Sequence, residues 1–314
     1  MMRVLALLLF LPFAAQAETL RVAVWSADLT RSGPGLLLRD IEGGRDKQIA
    51  AAVQAIDAVH PDVLLLTGFD WDYQGVALAA FAARLGPDYP HRYAPRPNTG
   101  MATGLDLDGN GRMGQARDAQ GYGRFAGEGG MALLSRLPLG EARDFSAFLW
   151  ADLPGAQVAG QPPEVLKIQR LSTTAHWDVP VLTASGPLHL LAHAATPPAF
   201  EPRNIARNHD ETAFWLRYLD GALPVKPAPG PFVVLGQMNL DPDKGAGDRA
   251  ALTTLLSRVR DPLPGRDTVD YGKPPGALRT DYVLPSPDLT VTGAGIGPLG
   301  GSRHHIVWVD ISLP

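Results

Sequence analysis

A chain of 314 residues with 45% hydrophobic content is long enough to bury one large core or two small ones. The formal net charge of −4 leaves no basic surplus, which argues against capture of nucleic acid by overall charge. Cysteine is absent, which excludes disulfide bonds, thiolate chemistry and thiolate metal sites.

The first residues have the pattern of an export signal. Arg3 provides a positive charge, an apolar stretch runs from residue 4 to residue 15, and Ala15-Gln16-Ala17 is a small-residue cleavage site before Glu18. We therefore expect a signal peptide at 1–17 and a single domain at 18–314, exported to the periplasm or secreted. No later segment approaches 18 consecutive apolar residues, so we expect no transmembrane segment in the mature chain.

Apolar runs of strand length and segments with helical periodicity alternate along the rest of the chain. The apolar runs predict strands at 20–25, 62–66, 131–134, 188–192, 232–235, 281–284 and 306–311. The periodicity predicts helices at 47–59, 78–85, 215–219 and 252–259. A Gly-, Asp- and Arg-rich stretch at 95–130 is expected to form a long loop. The mixture predicts an α+β domain of two packed sheets with helices outside.

Several of these strands begin or end in polar residues. Because the strands surround one core, we expect their ends to form a single rim, and polar groups there indicate a site. The polar residues at these strand ends are Ser26, Asp28, Asp70, His193, Gln237, Asn239, Asp281 and His304.

Six short motifs follow one another in a characteristic order. They are PDVLLL-x-x-FD, GGMALLSRLPL, TPP-x-F, VVLG-x-MN-x-DP, R-x-DYVLPS and S-x-HHIVWVD. Together they resemble the endonuclease/exonuclease/phosphatase superfamily, and most closely an exported bacterial branch of it, from about residue 20 to the C-terminus. The resemblance implies a four-layered α/β sandwich of two packed, mainly antiparallel sheets with helices outside. It also implies hydrolysis of phosphoester bonds with Mg²⁺ or Mn²⁺.

Three residues match the superfamily's site, namely Asn239, Asp281 and His304. The other positions are substituted. Ser26 stands at the asparagine position of the first strand, Gly68 at the metal-binding glutamate, Gln237 at the aspartate before Asn239, Ala194 at the histidine and Arg303 at a frequent aspartate. His193 lies one residue early, and a one-residue slip on a strand turns a side chain to the other face.

These substitutions predict an impaired hydrolytic site. Mg²⁺ prefers carboxylate and water oxygens, Gly68 offers no side chain, and the amide of Gln237 has no charge and cannot act as a general base. We therefore expect a phosphoester hydrolase scaffold that retains phosphate or anion binding. A first alternative is an active metal-dependent phosphodiesterase or phosphatase with displaced ligands. Those ligands would be Asp28, Asp70, Asp281 and His304, where Asp70 lies two residues beyond Gly68 on a regular strand.

The matched residues and the polar residues near them have expected roles in the site. Catalytic roles, if the protein is active, fall to His304, Asp281, Asn239 and His193. Substrate-binding roles fall to Arg170, His176, Asn239 and Arg303, and metal binding to Asp70, Asp28 and Asp281. The expected partner is a phosphate-containing small molecule or a lipid head group, without a nucleic-acid signal. A purely structural role remains open for each residue, such as a turn at Asp70 or an ion pair of Asp281 with Arg279.

The run GLDLDGNGRMGQARD carries oxygen-bearing side chains at alternate positions. Asp106, Asp108 and Asn110 match the first half of an EF-hand-type calcium loop. The glutamate expected at position 12 is Arg117, although Asp118 follows. A second alternative is thus a calcium-stabilised, non-catalytic binding module with Ca²⁺ at 106–118, and the competing interpretation is a plain Asp/Gly turn.

Overall fold

The computed structural model describes residues 18–313, so the predicted signal peptide at 1–17 lies outside the described residues. The strands are β1 (Thr19–Leu29), β2 (Val63–Phe69), β3 (His91–Tyr93), β4 (Gly130–Ser135), β5 (Arg143–Asp144), β6 (His176–Thr183), β7 (Gly186–Ala194), β8 (Phe232–Gln237), β9 (Val269–Asp270), β10 (Ala277–Leu278), β11 (Asp281–Pro285), β12 (Thr290–Ile296) and β13 (Val307–Ser312). The α-helices are α1 (Leu36–Gly43), α2 (Lys47–Val59), α3 (Val76–Arg84), α4 (Pro163–Leu166), α5 (Arg203–Leu219) and α6 (Ala250–Leu256). Single 3-10 turns lie at Gly86–Asp88, Ala116–Asp118 and Trp150–Asp152.

The strands form two large sheets and one small hairpin-like pair. The first sheet has the order β12-β13-β1-β2-β4-β3, and the second has the order β11-β8-β7-β6-β5. Each is antiparallel except for one central parallel pair, β1 with β2 and β7 with β8. β9 and β10 pair with each other. The sheets are therefore mainly antiparallel, as the resemblance implies.

The two sheets pack face to face around the principal core. Alternate residues of β1 and β2, including Val22 and Leu65, meet alternate residues of β7 and β8, including Leu190 and Leu235, and all four are fully buried. Successive side chains along a strand point to opposite faces of its sheet. Every second residue of these strands therefore places its apolar side chain between the two sheets.

The outer faces of the two sheets are covered by helices. Leu64 and Leu66 of β2 pack with Ile49 and Ile56 of α2 in a second cluster, to which α1 and α3 also contribute. Val234 of β8 belongs to a third cluster with residues of α5 and α6. The order helices, sheet, sheet, helices confirms the predicted four-layered α+β sandwich. Within residues 18–313, no helix is long and apolar enough to cross a membrane.

Most predicted elements are present, and the exceptions have physical reasons. α2 begins after Asp46, whose side chain accepts a hydrogen bond from the Ile49 backbone N–H at 2.9 Å, as its sequence indicates. α5 begins at Arg203, well before the predicted 215–219. The apolar pattern does not reveal its first half because that half buries polar side chains instead of an apolar stripe. α6 ends at Leu256, so Val259 lies beyond it. β6 was not predicted, because His176 and Asp178 interrupt its apolar run and yet are buried.

Candidate functional site

A cleft of about 530 Å³ opens where strands of both sheets end. The first sheet contributes residues from the ends of β1 and β2, and the second contributes the end of β8 and the turn after it. We call these residues the floor of the cleft: Ser26, Asp28, Thr67, Gly68, Gln237 and Asn239. The cleft thus lies at the rim that the sequence indicates.

A chain of neutral side chains joins the two sheets across the floor. The Thr67 hydroxyl donates to Oε1 of Gln237 at 3.0 Å, and Nε2 of Gln237 donates to Oδ1 of Asn239 at 3.1 Å. Nδ2 of Asn239 donates to the carbonyl of Ala195 at 2.7 Å. Gln237 is therefore held by both ends of its amide, and a carboxylate could not make the donation to Asn239.

Gly68 occupies a bulge where a longer side chain is disfavoured. Its φ is +66°, and the register of β2 against both β1 and β4 shifts at this point. A Cβ added here would lie 3.4 Å from the backbone nitrogen of Asp28. Left-handed φ values suit glycine and strain other residues, so the missing glutamate is accompanied by a backbone that would resist one.

Asp70 lies away from the cleft, contrary to its predicted place beside the floor. The prediction assumed a regular strand, and the bulge at Gly68 breaks that regularity. The Asp70 carboxylate accepts backbone N–H groups of Arg31 at 2.7 Å and Gly129 at 2.9 Å. Burial raises its pKa to about 6 despite these donors. Asp70 thus fastens two loops together.

Asp28 is the single carboxylate of the floor. Its Oδ2 accepts from the Ser302 hydroxyl at 3.1 Å and from the Arg303 backbone N–H at 3.3 Å. The Arg303 guanidinium lies 4.0 Å from the same oxygen. Arg303 is thus a neighbour of Asp28 without lining the cleft, and it also lies over the ring of Tyr271.

Asp281 and His304 form a buried pair next to the floor. Asp281 is paired with Gln237 across β11 and β8, and its Oδ2 accepts from Nδ1 of His304 at 2.8 Å. Thr268 and Thr280 donate to the same oxygen, whereas Oδ1 has no partner in the described chain. Burial alone would lower the pKa of His304, but the Asp281 carboxylate outweighs burial and raises that pKa.

His193 points away from the cleft, as its one-residue slip predicts. Trp215 of α5 donates to Nδ1 of His193 at 3.0 Å, and the ring stacks on His176 at 4.9 Å. Ala194 lines the cleft instead. Burial holds the pKa of His193 well below its usual range, so the ring is neutral. The catalytic role predicted for His193 has no geometric support.

Three of the four residues predicted to bind substrate lie outside the cleft lining, namely Arg170, His176 and Arg303. His176 is fully buried, with the Ser172 hydroxyl 2.7 Å from Nδ1 and the Glu211 carbonyl 2.8 Å from Nε2. Arg170 donates to Oδ1 of Asn98 at 2.8 Å. Both ring nitrogens of His176 therefore have partners inside the protein, and Arg170 connects to Asn98.

The cleft lining also contains charged residues that have no role in the sequence-based prediction of the site. Among them are Arg117 in the turn at 116–118, Glu201 just before α5, and Arg203 and Arg207 in α5. The spacing of Arg203, Arg207 and Glu211 is a helical signal that could have placed them on one face.

The carboxylates of the cleft do not fit a magnesium ion at the floor. Mg²⁺ is held by carboxylates in near-octahedral geometry, and the floor offers Asp28 alone. In residues 18–313, the acidic and histidine side chains that converge in a group of three are Asp106, Asp108 and Asp118, with oxygens within 4.8 Å of one another. That group lies in the loop, not at the floor.

The loop group contains the predicted Asp106 and Asp108 together with the buried Asp118, the carboxylate that follows the expected position 12. Oδ1 of Asn110 accepts the Arg112 backbone N–H at 2.9 Å. Each carboxylate of the group also accepts loop N–H groups, among them Gly111 by Asp106 and Leu107 by Asp118. Backbone N–H groups of the loop itself therefore already form hydrogen bonds with these three carboxylates.

The fold resembles solved structures along nearly its whole length. An endonuclease/exonuclease/phosphatase from Beutenbergia cavernae superposes with a TM-score of 0.61 and 19% identity, over 94% of this chain and 72% of that one. A family protein from Leptotrichia buccalis gives 0.57 and 13%, over 92% and 98%. Sphingomyelinase C from Streptomyces griseocarneus gives 0.51 and 14%, over 95% and 100%. At these identities the likeness concerns the fold alone.

Sequence comparison with curated proteins finds no match. The model of the endonuclease/exonuclease/phosphatase family, by contrast, matches residues 40–304, well over half of the chain. The chain belongs to the endonuclease/exonuclease/phosphatase family.

Proposed function

We propose that this protein binds a phosphate-containing ligand in the cleft and that its metal-dependent hydrolysis is impaired. Members of the family generally depend on a divalent metal. The observation that carries the proposal is a floor with a single carboxylate, Asp28, where Gly68 and Gln237 stand at positions that the family fills with carboxylates.

The chemistry of the floor supports binding more than turnover. A single carboxylate, Asp28, would leave a divalent ion without the charge that usually anchors it. The amide of Gln237 cannot remove a proton from water near neutral pH. The amides of Asn239 and Gln237 can still form hydrogen bonds with a bound ligand, so ligand recognition does not require the metal ligands.

The ligand class follows from the size and polarity of the cleft. A volume of about 530 Å³ suits a small phosphorylated molecule or a lipid head group. The net charge of −4 gives no support to a nucleic-acid partner.

The proposed export of the mature chain from Glu18 is tested by N-terminal sequencing of the protein recovered from the periplasm or medium.

An assay on an activated phosphodiester and an activated phosphomonoester tests the proposal. The wild type, with Mg²⁺, Mn²⁺ or Ca²⁺, should turn over neither substrate faster than the double variant Asp281→Ala, His304→Ala. Turnover that needs metal and disappears in the double variant would contradict impaired hydrolysis.

The second candidate is an active hydrolase with displaced ligands. The intact Asp281–His304 pair favours it, because a histidine held by a carboxylate is a common general base. Asp28 would then be the metal ligand, and Asp70 would play no direct part. In that case Asp28→Asn should abolish metal-dependent turnover, whereas activity unchanged in Asp28→Asn would exclude this metal site.

A further inference from the structure

One part of the cleft lining carries a concentration of positive charge. Arg203 and Arg207 lie four residues apart on α5, which places both on one face of the helix. Arg117 comes from the neighbouring turn, and Nη2 of Arg203 donates to the Arg117 carbonyl at 3.2 Å. We call Arg117, Arg203 and Arg207 the arginine wall.

The carboxylates near the arginine wall do not neutralise its positive charge. Glu201 lies 2.7 Å from Nε of Arg203 and 3.9 Å from Nε of Arg117, so one anion serves two cations. The other cleft carboxylates are engaged elsewhere, Glu128 with Arg124 and Asp28 with Ser302 and Arg303. Three arginines against Glu201 leave an excess of two positive charges.

Arg207 is the buried member of the wall and has donor capacity to spare. It is 7% exposed, and Nε and Nη2 donate to backbone carbonyls, among them Leu171 at 2.9 Å and Gln120 at 2.6 Å. Within residues 18–313, Nη1 makes no hydrogen bond, and no carboxylate oxygen lies within 4.0 Å of the guanidinium. A buried cation without a close counter-ion is unfavourable, and an anion in the cleft would relieve that cost.

The carboxylate of Glu211 compensates the positive charge of Arg207 only in part. Glu211, one turn further along α5, uses its carboxylate to accept the backbone N–H groups of Thr173 and Thr196. Burial raises the pKa of Glu211 to about 7, so near neutral pH part of the population is uncharged. Burial also lowers the pKa of Arg207 to about 10, which still leaves the guanidinium charged.

The start of α5 adds to the same field. Arg203 is the first residue of this 17-residue helix, and no side chain caps its N-terminus. The backbone N–H groups of Asn204 and Ile205 donate to the carbonyls of Glu201 and Pro202, but the positive end of the helix dipole still favours an anion there. Asn204, in the first turn, also lines the cleft. The helix end, the wall and the spare Nη1 of Arg207 all favour negative charge in one place.

We propose that the arginine wall, and not the floor, holds the phosphate group of the ligand. This inference rests on the proposed function, since it assigns the binding of that ligand to particular residues. Guanidinium groups match phosphate with paired hydrogen bonds, and an excess of positive charge suits a dianion better than a monocarboxylate. The neutral floor at Gln237 and Asn239 then faces the uncharged part of the ligand.

Calorimetric titration of the protein from Glu18 with inorganic phosphate and pyrophosphate, at low ionic strength, tests the proposal. Arg117→Gln and Arg203→Gln should each weaken binding about five- to tenfold, because each removes a charged donor. Glu201→Gln should tighten binding by about threefold or more, because it removes the competing carboxylate. Arg207 itself is left unchanged, since it supports buried carbonyls and its loss would disturb folding.

Two exposed residues provide controls of matched charge. Arg266→Gln and Glu164→Gln repeat the same charge changes away from the cleft, and both should leave the dissociation constant unchanged. Acetate, as a monocarboxylate probe, should bind more weakly than phosphate.

The outcomes separate this inference from the proposed function. Phosphate binding that is insensitive to Arg117, Arg203 and Glu201 would overturn the arginine wall and leave cleft binding intact. Acetate binding as tight as phosphate would overturn the phosphate assignment. If these substitutions change phosphate affinity and the protein also shows metal-dependent turnover, the arginine wall is supported and the impaired hydrolysis is contradicted. Absence of any anion binding would overturn both proposals.

Discussion

Gly68 combines two features that act in the same direction at the scale of a single residue. It lacks the carboxylate that the family uses to anchor a metal, and its φ of +66° lies in the left-handed region. Residues with a Cβ cost roughly 1–2 kcal/mol in that region. Residue 68 therefore carries no carboxylate, and its backbone conformation also disfavours a glutamate there.

Gly68→Glu should lower the free energy of unfolding by about 1–2 kcal/mol because of this backbone strain. Gly43→Ala is the matched control, since Gly43 has an ordinary φ and a Cβ there would meet nothing within 4 Å. Urea unfolding measures both. A Gly68→Glu protein as stable as the wild type would show that the bulge relaxes easily and would contradict the strain argument.

His176 is a second residue whose environment makes a measurable prediction. Burial lowers its pKa to about 4 in the folded protein, whereas the unfolded value is 6.5. Above pH 6.5 the ring is neutral in both states and adds no pH dependence. As the pH falls from 6.5 towards 4, the unfolded chain takes up a proton that the folded protein does not. The free energy of unfolding then decreases by up to about 3 kcal/mol.

His176→Gln should therefore flatten the decrease in stability between pH 6.5 and pH 4. Glu211 acts in the opposite direction, because its raised pKa of about 7 favours the folded state at low pH. The quantity to measure is thus the difference between variant and wild type in urea unfolding at several pH values. Equal slopes would show that His176 titrates normally in the folded protein.

At the scale of the element, α5 connects the site to the second sheet through polar side chains. Asn208 is fully buried, and its Nδ2 donates to the carbonyls of Thr196 at 2.7 Å and Met238 at 2.8 Å. Those carbonyls belong to the turns after β7 and β8, which border the cleft. One amide therefore fixes two turns relative to the helix.

Asn208→Ala should cost about 2–4 kcal/mol in unfolding free energy, because two buried carbonyls lose their donor. Asn204→Ala is the control on the same helix, since Asn204 is exposed to the cleft and donates to Ala199 alone; its cost should stay below about 1 kcal/mol. Similar costs for the two variants would contradict the role of Asn208.

The loop at 106–118 is a second element with a testable property. If Ca²⁺ binds there, calorimetric titration should show heat that Asp106→Ala, Asp108→Ala and Asp118→Ala each reduce, because their oxygens lie within 4.8 Å of one another. Asn110→Ala should reduce this heat less than the aspartate variants do, because it removes a neutral oxygen and no charge. Binding that survives the aspartate variants would remove calcium from this loop.

At the scale of the whole molecule, the regular elements could be predicted from the sequence and the local irregularities could not. Buried strands such as β2 and β8 are continuous apolar runs, and the Asp46 cap marks α2, so their patterns carry the fold. The order of the motifs identified the family. The bulge at Gly68 left no such pattern, because a glycine in a strand has several explanations.

The site was predicted where it depends on strand order and missed where it depends on side-chain direction. Gln237 and Asn239 lie at the floor because β8 ends there, and the slip of His193 turned it to the other face as expected. Asp70 moved away from the floor with the bulge. The arginine wall could not be predicted as one cluster, because it forms only when α5 approaches the loop at 116–118.

The central claim is that the floor no longer holds a metal, and an anomalous difference map from crystals soaked in Mn²⁺ tests it most directly. We predict no manganese peak between Asp28, Gln237 and Asp281, whether or not the loop at 106–118 takes up an ion. A peak at the floor, coordinated by Asp28 or Asp281, would contradict the claim.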